Sequence, residues 1–112
     1  MIYVRSKAKS HGTKNQIEGQ LKPGQKVCLI EDLISTGASA LNAAQAIREM
    51  GAECHHCFAI FNYDLLATQN AFNETDIKVQ CLAHFEDCLN HDDLFNDTQK
   101  AALNQWRASL SV

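Results

Sequence analysis

No stretch of the 112 residues approaches the ~18 consecutive apolar residues of a membrane helix, and no charged, apolar and small-residue leader opens the chain. A soluble, cytoplasmic protein with no membrane partner is therefore expected. The five cysteines are an odd number set in strand-like or helical contexts, which excludes a disulfide framework and suits a reducing cytosol. There is no internal repeat, linker or low-complexity tract, so residues 1–112 read as a single domain. A chain of this length buries roughly two-thirds of its unfolded surface. A Walker A loop is also missing, because no Gly-Lys-Ser/Thr follows a glycine spacer.

Positive charge is scarce overall, with a net −3, but it is unevenly placed. Residues 1–26 hold Arg5, Lys7, Lys9, Lys14, Lys22 and Lys26 against Glu18, a balance of +5. The remainder carries 4 basic and 12 acidic residues, or −8. A basic segment in an acidic chain suggests a local anion contact, while the overall field disfavours nucleic acid and anionic membranes. The plain alternative is a solvated lysine-rich loop. An RNA-binding reading is weaker, since only Tyr3 lies near enough for stacking.

The chemistry concentrates in Glu31 to Ser39, EDLISTGAS. Ahead of it, Val27-Cys28-Leu29-Ile30 has the signature of a buried parallel strand. Behind it, Ala40 to Met50 carries Leu41, Ala44, Ile47 and Arg48 at helical spacing, with Gly51 as a stop. The stretch thus lies at a strand's carboxyl end and opens a helix, the usual ligand crevice of α/β sheets. Glu31 and Asp32 can accept hydrogen bonds from sugar hydroxyls or contact a hydrated divalent metal. Ser35-Thr36-Gly37-Ala38-Ser39 is small and hydroxyl-bearing, and its exposed amides at a helix start suit a phosphate. A capped βα turn with two solvated acids remains the plain reading of the same residues.

Elsewhere the pattern is structural. Met1 to Arg5 reads as a short strand, and Ser6 to Gln25 as a loop punctuated by Gly12, Gly19, Pro23 and Gly24. A loop of ~20 residues in a compact domain is usually functional or disordered. Ala52 to Asn62 reads as a strand containing Cys54-His55-His56-Cys57, which invites a zinc reading. Strand positions three apart face opposite ways, so Cys54 and Cys57 are expected not to converge and to act as small buried apolar groups. Asp64 to Glu74 is expected to be helical, Ile77 to Leu82 the last strand, and a short helix lies near His84 to Leu89. A final helix runs from about Asp97 to Leu110, capped by Asn96 with Gln99 three residues on, and Trp106 is read as a packing anchor.

Two apolar residues, two acids and a hydroxyl-rich turn resemble the phosphoribosyl pyrophosphate (PRPP) motif of type I phosphoribosyltransferases. The wording EDLISTG-x-S is similar to that of the orotate phosphoribosyltransferase family. YVRSKAKSHGTKNQIEG, from Tyr3 to Gly19, resembles that family's strand and mobile loop, and AIREMGAE followed by AIFNYDL matches further on. The likeness is dense to about Leu65 and thin beyond, with a terminal LNQWR echoing it.

The resemblance implies a parallel-sheet α/β core of about four strands flanked by helices, where the family has five. The N-terminal hood and first core strand are absent, so the chain looks like the C-terminal half of the enzyme. Loss of an internal strand should leave unpaired backbone, exposed apolar surface and a tendency to self-associate. For PRPP, the resemblance implies contacts from Arg5, Lys9 and His11 and from Glu31, Asp32, Leu33, Ile34, Ser35, Thr36, Gly37, Ala38 and Ser39. Lys9 and His11 take the catalytic roles, and Ser35 also meets orotate. Two departures stand out: Ser6 where some relatives have lysine, a charge Lys7 can supply, and Ala38 where many have glycine.

The mobile loop, about residues 6–25, would close over a neighbouring subunit's site in a homodimer. Mg²⁺ would be held mainly by PRPP, with no dedicated protein metal cage. The implied reaction transfers phosphoribosyl from PRPP to orotate, giving orotidine 5′-monophosphate and pyrophosphate in pyrimidine synthesis. The alternatives are a non-catalytic remnant that binds PRPP or nucleotide as a regulatory or assembly module, and the same fold acting on another base.

Overall fold

The β-branched run and the helical spacing on either side of residues 31–39 become a strand and a helix in the structure, a computed structural model that describes residues 1–5, 16–91 and 93–110. In chain order the elements are β1 (Tyr3–Val4), β2 (Ile17–Glu18), β3 (Lys26–Ile34), α1 (Ala38–Glu49), β4 (Glu53–Asn62), α2 (Leu66–Glu74), β5 (Lys78–His84), α3 (Phe85–Leu89) and α4 (Asp97–Ser109). Strands β3, β4 and β5 form a parallel sheet in that order. Right-handed crossovers between sequential parallel strands place both connecting helices on one face. Accordingly Ala43, Ala44 and Ile47 of α1 and Phe72 of α2 share one core with Leu29, Cys57 and Ala59 of the sheet. Alanines on the buried stripe of α1 let the helix lie close to the strands.

The α/β, parallel-sheet reading holds, but the first strand does not join the sheet. Tyr3–Val4 pairs antiparallel with Ile17–Glu18, and Arg5 donates its amide to Gln16 O at 2.7 Å. The span expected as one loop, 6–25, therefore contains a paired strand at Ile17–Glu18.

A second expectation fails at β4. The register shifts from Val27↔Cys54 to Cys28↔His56, which leaves His55 as an extra residue in a bulge. One added residue restores the face, so Cys54 and Cys57 are both buried on the core side, each at 0% exposure. Strict alternation over three positions was the wrong geometry. As expected, both act as small buried apolar groups.

Helix α2 starts at Leu66 rather than Asp64. Asp64 stands in the left-handed region at φ 59, its amide bonded to Asn62 Oδ1 at 2.9 Å and its carboxylate to His84 Nδ1 at 2.7 Å. Aspartate tolerates that backbone better than most residues because its side chain bonds locally. At the far end, Asn96 and Gln99 form the expected capping box, with Gln99 N to Asn96 Oδ1 at 2.8 Å. Trp106 packs edge-on against Tyr63 and tilted against Phe85, as an anchor.

Among the described residues the opposite face of the sheet is left exposed. Ile30, Phe58, Ile60 and Leu82 are exposed there, Leu82 at 85%, and Phe58 lies in register with Ile30. Exposed apolar faces of this kind commonly mark interaction surfaces. Replacing Leu82 with glutamine and Phe58 with serine should lower the sedimentation coefficient at high concentration. Unfolding free energy should stay within ~0.5 kcal/mol for the Leu82 change, because that side chain buries little. Unaltered self-association would show that this face is not the sticky one.

Burial pushes the Cys57 thiol up to about 12, with nearby Glu31 adding to the effect. An unfolded thiol ionises near pH ~8.5. The folded state then holds its proton where the unfolded state has lost it, so this stabilisation is present below that pH and is lost as pH rises towards 12. The drop in urea midpoint above pH ~9 should be smaller in Cys57→Ala than in the parent chain.

Candidate functional site

Strand β3 ends at Ile34, a core residue whose carbonyl accepts the Tyr63 amide at 3.0 Å. That bond carries the β3–β4 ladder to the strand tip and fixes where the following turn begins. Just before it, strand alternation sends Glu31 to the inner face after Leu29 and Asp32 to the bare face after Ile30. Glu31 is half-buried, and Ser39 Oγ donates to its Oε1 at 3.4 Å. Asp32 is exposed and accepts the Leu33 amide at 2.7 Å.

Burial raises the Glu31 carboxyl above its ordinary value; the Ser39 hydroxyl partly offsets this and the neighbouring Asp32 charge adds to it. Leu33 is exposed on the same rim.

The turn between strand and helix leaves most of its amides without an acceptor among the described residues. Gly37 is the N-cap of α1 at φ 80, ψ 2, with no side-chain cap. Ala38, the first helical residue, gives its amide to Thr36 Oγ1 at 3.4 Å, and Leu41 N makes the first helical bond, to Gly37 O at 2.9 Å. Among the described residues no acceptor takes the amides of Thr36, Gly37, Ser39 or Ala40. Donors without an acceptor at the start of a 12-residue helix in general favour an anion, because the amides and the helix dipole act together. Glycine is required at position 37 twice over. Its φ is left-handed, and a Cβ there would lie 2.9 Å from Phe72 Cε2 and 3.0 Å from Thr68 Cγ2.

The two acids and the first turn of α1 open onto a cleft of about 1150 Å³. Glu31, Asp32 and Ser39 line one side, and Tyr3, Val4 and Glu18 of the β1–β2 ribbon line the other. The structure thus brings Glu31, Asp32 and Ser39 to one cleft, while Leu33, Ile34, Ser35, Thr36, Gly37 and Ala38 are not among the residues that line it. Arg5 is tied to Glu18 by an ion pair across the ribbon. Lys9 and His11, with Lys7, lie outside the described residues. No group of three or more His, Cys, Asp or Glu side chains that could hold a metal occurs among the described residues.

Two residues beneath the turn were not singled out as functional from the sequence. Thr68 Oγ1 donates to Ser35 O at 2.7 Å, and the Phe72 ring faces Gly37. Their spacing of four within the expected helix was the available signal, since it puts them on one stripe. What that stripe would touch was not visible.

No family model matches the chain. Over 86 residues, 77% of its length, it is 51% identical to an orotate phosphoribosyltransferase of Coxiella burnetii, covering 41% of that protein. It is 42% identical over its whole length to the orotate phosphoribosyltransferase of Listeria innocua, covering 55% of it. The chain thus spans about half the length of the curated relatives it matches.

Among solved structures, Leishmania donovani UMP synthase superposes with a TM-score of 0.74 and 24% identity, over 96% of this chain and 24% of that one. The orotate phosphoribosyltransferase of Mycobacterium tuberculosis in complex with PRPP gives a TM-score of 0.63 at 27% identity, over 77% of this chain and 48% of that one.

Charge at Glu31 gives the anion site a pH dependence. Protonating a carboxylate beside the turn removes a repulsion, so sulfate should bind more tightly as pH falls through the raised value. Calorimetric titration with sulfate, which keeps its charge over this range, should show that trend in the parent chain. Glu31→Gln should bind more tightly at neutral pH with a flatter profile.

Proposed function

We propose that the chain is a type I phosphoribosyltransferase domain similar to part of an orotate phosphoribosyltransferase, that it binds PRPP at the Ser35–Ser39 turn, and that it serves phosphoribosyl transfer to orotate. One observation carries this reading above the others: a turn with four unclaimed amides sits directly beside two carboxylates at the end of a parallel strand. The amides suit the 5′-phosphate, and Glu31 and Asp32 suit the two ribose hydroxyls, which need acceptors. Asp32 is the freer of the two, being exposed. Ser35, at the head of the turn, is assigned to the base.

In the reaction, N1 of orotate, giving up its proton to water or to the departing pyrophosphate, attacks the anomeric carbon as the bond to pyrophosphate breaks, and that bond's electron pair leaves with the pyrophosphate. Charge develops on the ribose ring and on the leaving group, so the protein's part is positioning and electrostatic stabilisation without a covalent nucleophile. Holding the 5′-phosphate and the hydroxyls at two fixed points orients the ribose against both partners. Arg5, Lys9 and His11 are assigned to the pyrophosphate. Cations there stabilise the separated charge more than the bound substrate. For Arg5 this requires its pair with Glu18 to open.

Mg²⁺ fits the donor set as a substrate-held ion: two carboxylates can accept hydrogen bonds from its waters, and it would supply neutralisation of the pyrophosphate charge. Two copies pairing so that residues 6–25 of one approach the cleft of the other would complete the site. Five cysteines, all free, suit a cytoplasmic setting.

Following orotate consumption with PRPP and Mg²⁺ tests the activity. Turnover should be present in the parent chain and fall at least ~100-fold in Lys9→Ala, the scale of losing one charge-stabilising donor. Calorimetric PRPP binding without orotate consumption would instead make the chain a PRPP-binding module. Absence of both would overturn the reading.

A further inference from the structure

Thr68 is 4% exposed, and among the described residues its hydroxyl gives its proton to a single acceptor, the carbonyl of Ser35, 33 residues away in sequence, at 2.7 Å. A trans peptide is a rigid plane in which the C=O and the following N–H point in opposite directions. Drawing Ser35 O inward to α2 therefore drives the Thr36 N–H outward, into the space before the helix. Its amide is one of the four without a protein acceptor. The same helix face meets the next residue but one: Thr68 Cγ2 and the Phe72 ring press against Gly37, where even a Cβ would come within 3.0 Å of both. Ser35 is thus held by a hydrogen bond and Gly37 by packing, and the Thr36 peptide between them has little freedom left.

The geometry points to Thr68 as a positioning residue for the anion turn: it sets the direction of the Thr36 amide through the Ser35 carbonyl, so that the donor faces the phosphate before any ligand arrives. The role rests on PRPP binding at Ser35–Ser39, which it deepens. Preorientation matters because a donor that must first rotate towards its ligand spends binding energy on ordering. Helix α2 can act as a fixed reference because its entry is itself secured. The Asp64 carboxylate bonds His84 of β5 at 2.7 Å, and Leu65 is buried.

Two substitutions separate the hydroxyl from the methyl. Thr68→Val keeps the shape against Gly37 and removes the donor, while Thr68→Ser keeps the donor and removes the methyl. PRPP affinity measured by calorimetry on the full chain should fall roughly tenfold in Thr68→Val, the scale of one hydrogen bond, and stay within about threefold of the parent in Thr68→Ser. Equal losses in both variants would mean that Thr68 only packs, and no loss in Thr68→Val would overturn the proposal.

A second measurement needs no ligand. Residual dipolar couplings of the ligand-free parent chain should place the Thr36 N–H vector pointing away from α2, and a vector directed at α2 or averaged over orientations would overturn the inference. In Thr68→Val the same vector should become averaged, and in Thr68→Ser it should be retained. If the parent chain fails to bind PRPP while these couplings come out as described, the functional reading falls and the positioning role stands.

Discussion

The left-handed glycine at position 37 governs the site. With φ 80 it turns the chain between β3 and α1 through a conformation that only glycine adopts freely. Any side chain there would meet Phe72 and Thr68 within 3.0 Å, so the turn and α2 can approach only because this residue has none. The anion site is therefore built from backbone, and its shape is inherited from a helix lying nearly thirty residues downstream in the chain. Glu31 and Asp32 occupy their places for a simpler reason, being the last acids on a strand that ends where the turn begins.

The sheet serves this site on one face and leaves the other uncovered. Right-handed crossovers gather α1 and α2 on the same side, which gives a single core and a rigid floor for the turn. The same topology exposes Ile30, Phe58, Ile60 and Leu82. The asymmetry of the fold is thus a consequence of strand order, and the apolar residues on the bare side alternate with core residues as any two-faced strand requires.

Several local features were legible from residue order. The apolar run before Glu31, the helical stripe after Ser39 and the capping pair Asn96/Gln99 depend on neighbours within a turn or two, and each was found close to its expected bounds. Other features depend on a partner strand or helix. The bulge at His55 arises from pairing with β3, and it put Cys54 and Cys57 on one face where alternation alone had separated them. The partnering of Tyr3–Val4 with Ile17–Glu18, and of Arg5 with Glu18, is likewise a matter of how two segments meet. Asp64 looked like a helix residue by composition, yet its bonds to Asn62 and His84 hold it outside the helix.

By itself the sequence determined a strand, an acidic tip, a glycine turn and a helix in that order, because short-range sterics and apolar periodicity decide each of them. Tertiary structure alone decided that the amides of the turn are unclaimed, that Glu31 is half-buried against Ser39, and that α2 braces Ser35 and Gly37 from below. These last properties rest on contacts between residues some thirty positions apart. Such contacts exist only once the sheet has brought its strands into register.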